Sequence, residues 1–553
     1  MKMRHSLLAL AVLLGGVCAS AQETPVWKTQ CGTPTGQPKF PLESYRELPP
    51  FVQADPAEWK GVKGLQVSWA DKNVRYAKTS VPLAKGVKSL TLKGWRGERV
   101  CAQAVVWTGR AVSGLTYALS DLKDAKGHVI PASACETGFL RYVMTDEFGG
   151  GCNVHVHTQL DSALLADVVD PYLKSTDLVP MQTQPVWFTL WIPQSVPAGT
   201  YKGAVSVCEG GKTVGKLALT VQVEDHVLPA PKDWTFHLDL WQSPYAVARY
   251  HQVPLWSPEH FAAMRPLMER LANAGQKVIT TAITHWPWNS QTEDPFESMV
   301  TWVKKYDGTW TYHYDVFDAW VEFMMSCGIT EQINCYSMVP WRLSFRYLDQ
   351  ATDSYQEIHC APGDPAYEAL WLPMLKDFAA HLKAKGWFEK TTIAMDERPM
   401  EAMRNTIAVI RKADPGFKLS LAGNYYPEID ADIYDYCVTY RQEFPAEAVA
   451  RRRAEGKIST KYLCCGPEHP NTFVFSPLEE AGQIGLDMAA FGMDGYLRWA
   501  VISWPLEPLL DSRFRTWSGG DTFMLYPGNR TSMRFERFVE GIQEYEKLKI
   551  LGK

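Results

Sequence analysis

At 553 residues the chain is longer than one ordinary core supports, and its 46% hydrophobic and 21% charged content excludes a disordered or fibrous protein. A formal charge of −5 excludes a general nucleic-acid binder, which needs a basic surface. The outlier is 21 Trp, a side chain that fills large cores and whose broad apolar face also stacks on sugar C–H groups.

The opening stretch has a basic start (Lys2, Arg4), an apolar run from Leu7 to Val17, and Ala19-Ser20-Ala21. This is the pattern of a secretory signal peptide over residues 1–21, so export to the periplasm, the cell surface or the medium is expected. Cleavage removes Lys2 and Arg4 and no acid, taking the charge from −5 to −7. Cys18 raises the question of a lipid anchor, but Val17 stands where lipidation signals want a small residue. No later run reaches the roughly 18 apolar residues of a membrane span. Without Cys18, eleven of the twelve Cys remain, so at least one thiol is free or pairs between chains. Export permits disulfides among Cys31, Cys101, Cys135, Cys152 and Cys208, whereas Cys464-Cys465 read as buried small residues. No Cys spacing fits a zinc site, and no metal or cofactor is expected.

Residues 22–230 read as strands. "KSLTLKGWRGERVCAQAVVWT", "PVWFTLWIP" and "KLALTVQVED" are β-branched and aromatic runs broken by Gly and Pro turns, which predicts a β-sandwich. The two Pro of "VLPAPKDW" (227–234) mark a linker. Residues 231–553 change rhythm to strand then helix. Strands are predicted at 234–241, 276–284, 331–339, 391–397, 417–424, 433–440, 461–466 and 494–501. Helical patterns lie between most of them; one opens after Ser257 as N-cap with Pro258 in its first turn. Eight strands alternating with helices over roughly 300 residues predict a (β/α)8 TIM-like barrel. A doubly wound sheet is the alternative, but no Gly-rich phosphate loop follows the first strand. The basic cluster Arg451-Arg452-Arg453 falls in a predicted helix and reads as a solvated face.

Barrel chemistry sits at the C-terminal strand ends. Here those ends carry Asp239 and Trp241, then His285-Trp286-Pro287-Trp288, Asp396-Glu397, Asn424-Tyr425-Tyr426, Tyr440-Arg441, and Arg498-Trp499 with Trp504. Asp396-Glu397 in "TTIAMDERPM" is readable as an N-cap and first-turn acid for the following helix. Its place on a rim rich in Trp and His favours chemistry. Ordinary glycosidases need two carboxyls about 5 Å or 6.5–9.5 Å apart, on opposite sides of the bond. Neighbours with Cα atoms about 3.8 Å apart suit the exception, in which a 2-acetamido oxygen of the substrate attacks its own anomeric carbon. Glu397 is then the acid/base and Asp396 the anion that orients the acetamide; their proximity is expected to raise one pKa and keep the acid protonated.

The carboxylate pair, with "GYLRWAV…SWPLEP", "GGDTFMLYPG" and "TSMRFERFVEGIQEYEKL", resembles glycoside hydrolase family 123 over nearly all of the mature chain. The resemblance implies a retaining, exo-acting β-N-acetylgalactosaminidase working through an oxazolinium ion without metal, on a glycan or glycolipid ending in N-acetylgalactosamine. It carries the family's Asp-Glu pair onto Asp396 and Glu397. It also implies a Tyr supporting the acetamide carbonyl, for which Tyr425 and Tyr440 are candidates. Trp499 and Trp504 are candidates for the acetamide pocket walls, and His285, Trp286 and Asn424 for contacts to sugar hydroxyls. Three alternatives stay open: a β-N-acetylglucosaminidase of the same mechanism, a non-catalytic carbohydrate-binding surface protein, and a two-carboxylate glycosidase using Glu443 or Glu507 as its second acid.

Overall fold

The computed structural model describes residues 46–84, 86–146, 162–289, 291–515 and 517–552. The expected signal peptide, Cys18, Cys31 and Cys152 lie outside these ranges. Two sheets, of six and seven strands, pack face to face as a β-sandwich. In the central strand Arg99–Thr108, alternate residues Val100, Ala102, Ala104 and Val106 face the opposing sheet and meet Leu217, Leu219 and Val221 of Lys212–Val227. That strand is buried along its whole length because its other face is covered too. Cys101 packs there with Leu140, Tyr142 and Trp187 against Leu478 and Met533 from the C-terminal half. Two covered faces explain why the strand reads as one apolar run rather than an alternation.

The junction between the halves is also charged. Arg534 pairs with Asp167 and Arg530 with Asp170, both at 3.0 Å and all four side chains at most 2% exposed. Buried pairs hold only when their remaining polar atoms are satisfied. Arg534 Nη1 accordingly donates to the carbonyls of Thr472, Gly520 and Phe523, and the Tyr526 hydroxyl donates to Asp167 at 2.7 Å. Thr531–Ser532 also adds a short strand to the sandwich, antiparallel to Ala163–Asp170. The block "TSMRFERFVEGIQEYEKL" thus carries the helix Met533–Ile550 that docks the sandwich on the barrel.

All eight predicted barrel strands form: His237–Leu240, Val278–Ala282, Gln332–Tyr336, Thr391–Met395, Lys418–Gly423, Asp435–Thr439, Ile458–Leu463 and Gly495–Arg498. They make one parallel sheet in which the first strand pairs with the eighth. Between strands one and two only a single bridge, Leu238–Gln276, is present, so backbone groups there need other partners. Side-chain amides supply them. Gln276 accepts the Leu240 N–H at 3.0 Å and donates to the Val278 carbonyl at 2.8 Å, while Gln242 accepts the Thr280 N–H at 3.0 Å. The Ser257 cap is present, its hydroxyl accepting the His260 N–H at 3.2 Å ahead of helix Pro258–Ala272.

Three features differ from expectation. A four-stranded sheet (Thr301–Lys304, Trp310–His313, Ser344–Asp349 and Ser354–His359) is inserted after strands two and three, in segments too short to show a clear period. No helix separates strands five and six, where residues 424–434 form turns. And the basic cluster is not a solvated face: Arg452 is fully buried. Its guanidinium donates to the carbonyls of Asp430, Ile433, Tyr434 and Ile458, to the Asp430 carboxylate at 2.9 Å and to Ser459 Oγ at 3.0 Å. It ties down the helix-less connection, and Arg451 and Arg453 pair with Asp430 and Asp494 beside it. Replacing Arg452 by Met leaves the Asp430 Oδ1 and several carbonyls without their donor, although Arg451 still holds Oδ2. It should cost about 3–5 kcal/mol, seen as a lower thermal unfolding midpoint, whereas Arg453→Met at the exposed site should cost under about 1 kcal/mol.

Candidate active site

Strand four, Thr391–Met395, is fully buried and delivers Asp396 and Glu397 to the C-terminal rim. The capping reading fails there. The following helix, Met400–Ala413, begins after Pro399 with no side-chain cap, and the Asp396 carboxylate turns the other way. Asp396 Oδ2 accepts the indole N–H of Trp341 at 3.1 Å, and Oδ1 lies 3.0 Å from Arg398 Nη2. Arg398 in turn stacks on the Trp341 ring, 4.6 Å from its centroid, a favourable place for a planar cation. Asp396 is only 7% exposed. Burial pushes its carboxyl up; Arg398 and then Trp341 pull it back, and the neighbouring Glu397 charge adds to the rise. Burial thus raises the carboxyl of Asp396, the residue expected to orient the acetamide.

Glu397 is exposed. Its Oε1 accepts a hydrogen bond from the hydroxyl of Tyr462, which strand seven carries across the barrel mouth. Burial first, and then the Glu397 charge, push the Tyr462 phenol up, so it stays a donor. The pair opens on a cavity of about 240 Å³ lined by Trp241, Trp288, Trp341, Tyr462, Trp499 and Trp517, with Gln291, Ala422, Cys464, Cys465 and Leu497. Asp396 and Glu397 are the acids in that lining; Glu443 and Glu507 are not part of it. Among the described residues no cluster of His, Cys, Asp and Glu suits a metal.

Of the residues expected here, Asp396, Glu397 and Trp499 face this cavity. Trp499 is held there by its indole N–H, which donates to Asp521 Oδ1 at 3.2 Å. The same carboxylate pairs with Arg498 at 2.8 Å, both fully buried, so Asp521 of "GGDTFMLYPG" locks a cavity wall. Trp504 is instead a core residue, fully buried, with its indole N–H on the Leu525 carbonyl at 2.7 Å. Tyr425 packs on Phe444 at 4.8 Å, and Tyr440 donates to Asp487, so both turn outward from the barrel mouth. His285 and Trp286 grip Glu297 instead of facing the carboxylates, at 2.7 Å and 3.4 Å. Asn424 borders a second depression, which Asp396 and Glu397 also line, with Arg398, Met403 and Tyr426.

Trp241 and Trp288, expected at the strand ends though without a stated role, line the cavity, and Tyr462, Trp341 and Arg398 join the site unexpected. Tyr462 shares strand seven's inward face with Thr460, a period-two signal that does point to it. Trp341 lies in an irregular connection and carried no such signal. Cys464 is a free thiol, as its reading as a small residue implies, but Cys465 is disulfide-bonded, against the same reading.

Residues 241–551 match the family described as glycoside hydrolase 123, catalytic domain, and residues 69–209 its N-terminal domain. The chain is similar to a solved family 123 glycoside hydrolase from Clostridium perfringens, whose structural analysis concerns glycolipid glycan hydrolysis. The identity is 25%, with 88% of this chain and 89% of that one covered, at a TM-score of 0.81. A Bacteroides ovatus GH5 xyloglucanase (10% identity, 87% and 100% covered) and a family 39 glycoside hydrolase from Bacteroides cellulosilyticus (9%, 82% and 82%) have TM-scores of 0.31 and 0.34. No curated protein matches the chain.

Removing a hydrogen bond to a charged group costs about 1.5–3 kcal/mol, so Tyr462→Phe should lower kcat/KM for glycoside hydrolysis about 10- to 100-fold. Tyr425→Phe and Tyr440→Phe, whose rings point away, should stay within about 3-fold; steady-state kinetics of the three variants decides.

Proposed function

Because the chain belongs to glycoside hydrolase family 123, we propose that it is a retaining, exo-acting β-N-acetylgalactosaminidase that works by substrate-assisted catalysis. The observation that carries this reading is the unequal setting of two adjacent acids. Asp396 is buried between an indole N–H and a guanidinium, and Glu397 is exposed and steadied by a phenol. Two carboxyls in different environments take different roles. Asp396 as an anion accepts the acetamide N–H and balances the positive charge that grows as the acetamide oxygen attacks C1. Glu397 protonates the departing oxygen, then removes a proton from the water that opens the oxazolinium ion, so the β-configuration is retained. With substrate bound, this reading has the Tyr462 hydroxyl turn its one proton from Glu397 to the acetamide carbonyl, the role expected of Tyr425 or Tyr440. Trp241, Trp288 and Trp499 supply apolar faces for the sugar ring and the acetamide methyl.

A cavity whose acids are one adjacent pair supports this scheme over a two-carboxylate one, which needs a second acid across the bond. By likeness to the Clostridium perfringens enzyme, the natural substrate is proposed to be a glycolipid glycan, met outside the cytoplasm by an exported protein.

Paired assays on p-nitrophenyl N-acetyl-β-galactosaminide, the N-acetyl-β-glucosaminide and the plain β-galactoside test the proposal. The first should be hydrolysed fastest, the 2-hydroxy sugar should be inert, and an N-acetylgalactosamine thiazoline should inhibit. Equal rates on the acetamido and hydroxy sugars would remove the mechanism, and a preference for the glucosaminide would change the sugar. Glu397→Gln should lose about 10²- to 10⁴-fold in kcat on substrates with poor leaving groups.

The Asp396 setting also predicts a pH effect. An orienting anion is lost as pH falls through its pKa, and burial has moved that pKa above the usual carboxylate range. Arg398 opposes the rise, so Arg398→Met should move the acid limb of the kcat/KM profile to higher pH. An unmoved acid limb would detach Asp396 from it.

A further inference from the structure

Two rings that line the carboxylate cavity, Trp241 and Trp288, form one aromatic cluster with the buried Tyr336. Trp241 lies 4.5 Å from Tyr336 and 4.9 Å from Trp288, and Trp288 lies 5.0 Å from Tyr336, centroid to centroid. Yet the two indole N–H groups and the Tyr336 hydroxyl are buried without a hydrogen-bond partner among the described residues. Of the three donors, the Trp241 indole has a buried carboxylate within its reach.

Residues two apart on a strand share a face, so the first barrel strand sets Asp239 one layer beneath Trp241. Asp239 is 2% exposed. Its Oδ2 accepts from Asn334 Nδ2 at 3.3 Å, and Asn334 stands two residues before Tyr336 on strand three. Its Oδ1 is buried without a well-aligned hydrogen bond, and the Trp241 indole N–H lies close enough to favour the ionised carboxyl. The layer beneath is satisfied: Asp435 accepts from Gln332 at 2.7 Å and contacts His237 at 3.3 Å.

We infer that Asp239 is a positioning residue for the reaction: its free carboxylate oxygen is the acceptor that steadies Trp241, and with it the aromatic floor on which the sugar ring rests. This rests on the glycosidase reading above. Asp239 touches no reacting atom; it acts through the ring above it. Its titratable and charged neighbours are His237 on its own strand, Tyr336 on strand three, Asp435 and Cys437 on strand six, and Asp396 in the layer above, through Tyr336. Burial, then the Asp435 charge, push the Asp239 carboxyl up to about 7. The acceptor is therefore an anion above neutrality and a weaker, protonated group below it. The floor loosens as pH falls through that range, and KM rises.

Asn is the isosteric likeness of the protonated acid, which makes the test sharp. Asp239→Asn should raise KM for p-nitrophenyl N-acetyl-β-galactosaminide roughly 5- to 10-fold at pH 8.5, match the wild type at pH 5.5, and change kcat by less than about 2-fold. Tryptophan fluorescence of the wild type should show a titration step near pH 7 that is missing from both Asp239→Asn and Trp241→Phe. A variant with the wild-type KM profile and the wild-type fluorescence step would overturn the inference. Should Asp239→Asn fail to fold, Trp241→Phe decides alone: persistence of the step there refutes the role. Should the wild type hydrolyse no acetamido sugar, the functional proposal falls, and the fluorescence comparison still judges Asp239.

Discussion

The cavity depends on one carboxyl, that of Asp396, held where water has been excluded. An anion at the end of a fully buried strand is unstable unless donors replace its hydration, and Asp396 has an indole N–H on one oxygen and a guanidinium on the other. Each donor depends on something further out. Trp341 is placed by a connection that packs back on the second barrel loop, the Trp341 backbone N–H donating to the Pro287 carbonyl at 3.0 Å. Arg398 is held flat by the same indole and by the Val339 carbonyl, which accepts its Nε–H at 2.8 Å. The inserted four-stranded sheet flanks that connection, anchored by Trp302, whose indole N–H reaches the Ile283 carbonyl at 3.0 Å. An element that looks like an ornament on the barrel is therefore part of the support for its acid pair.

The same logic extends to the sandwich. A barrel whose first and second strands meet through a single bridge and a few glutamine amides relies on its outer layer for rigidity. That layer includes the C-terminal helix, clamped to the sandwich by buried Arg–Asp pairs and by Glu536, which accepts from Thr189 at 2.9 Å and Thr531 at 2.7 Å. The loop before this helix carries Asp521, which fixes Arg498 and Trp499. The sandwich thus reaches the cavity wall by way of one short loop. Burial pushes the Asp521 carboxyl up, and Arg498 pulls it back.

Much of the architecture was legible because it rests on local rules. Eight short β-branched runs separated by helical periods specify a barrel, and Pro258 after Ser257 specifies where a helix begins. What escaped were elements without a period of their own: the inserted hairpins, the missing helix after strand five, and the buried Arg452. A triplet of arginines looks solvated until the turn of 424–434 brings its carbonyls to the middle one.

Order along the chain is enough to give the strand ends, the adjacency of Asp396 and Glu397 and the likeness to one hydrolase family. Tertiary structure alone decided which aromatics meet at the mouth. Tyr462 rather than Tyr425 or Tyr440 reaches Glu397, and Trp504 retires into the core while Trp341 arrives from a loop. The physical reason is that a side chain's direction at a barrel rim is set by strand tilt and by the packing of neighbouring loops. Both are sums of contacts between residues far apart in the chain, and no local pattern encodes them.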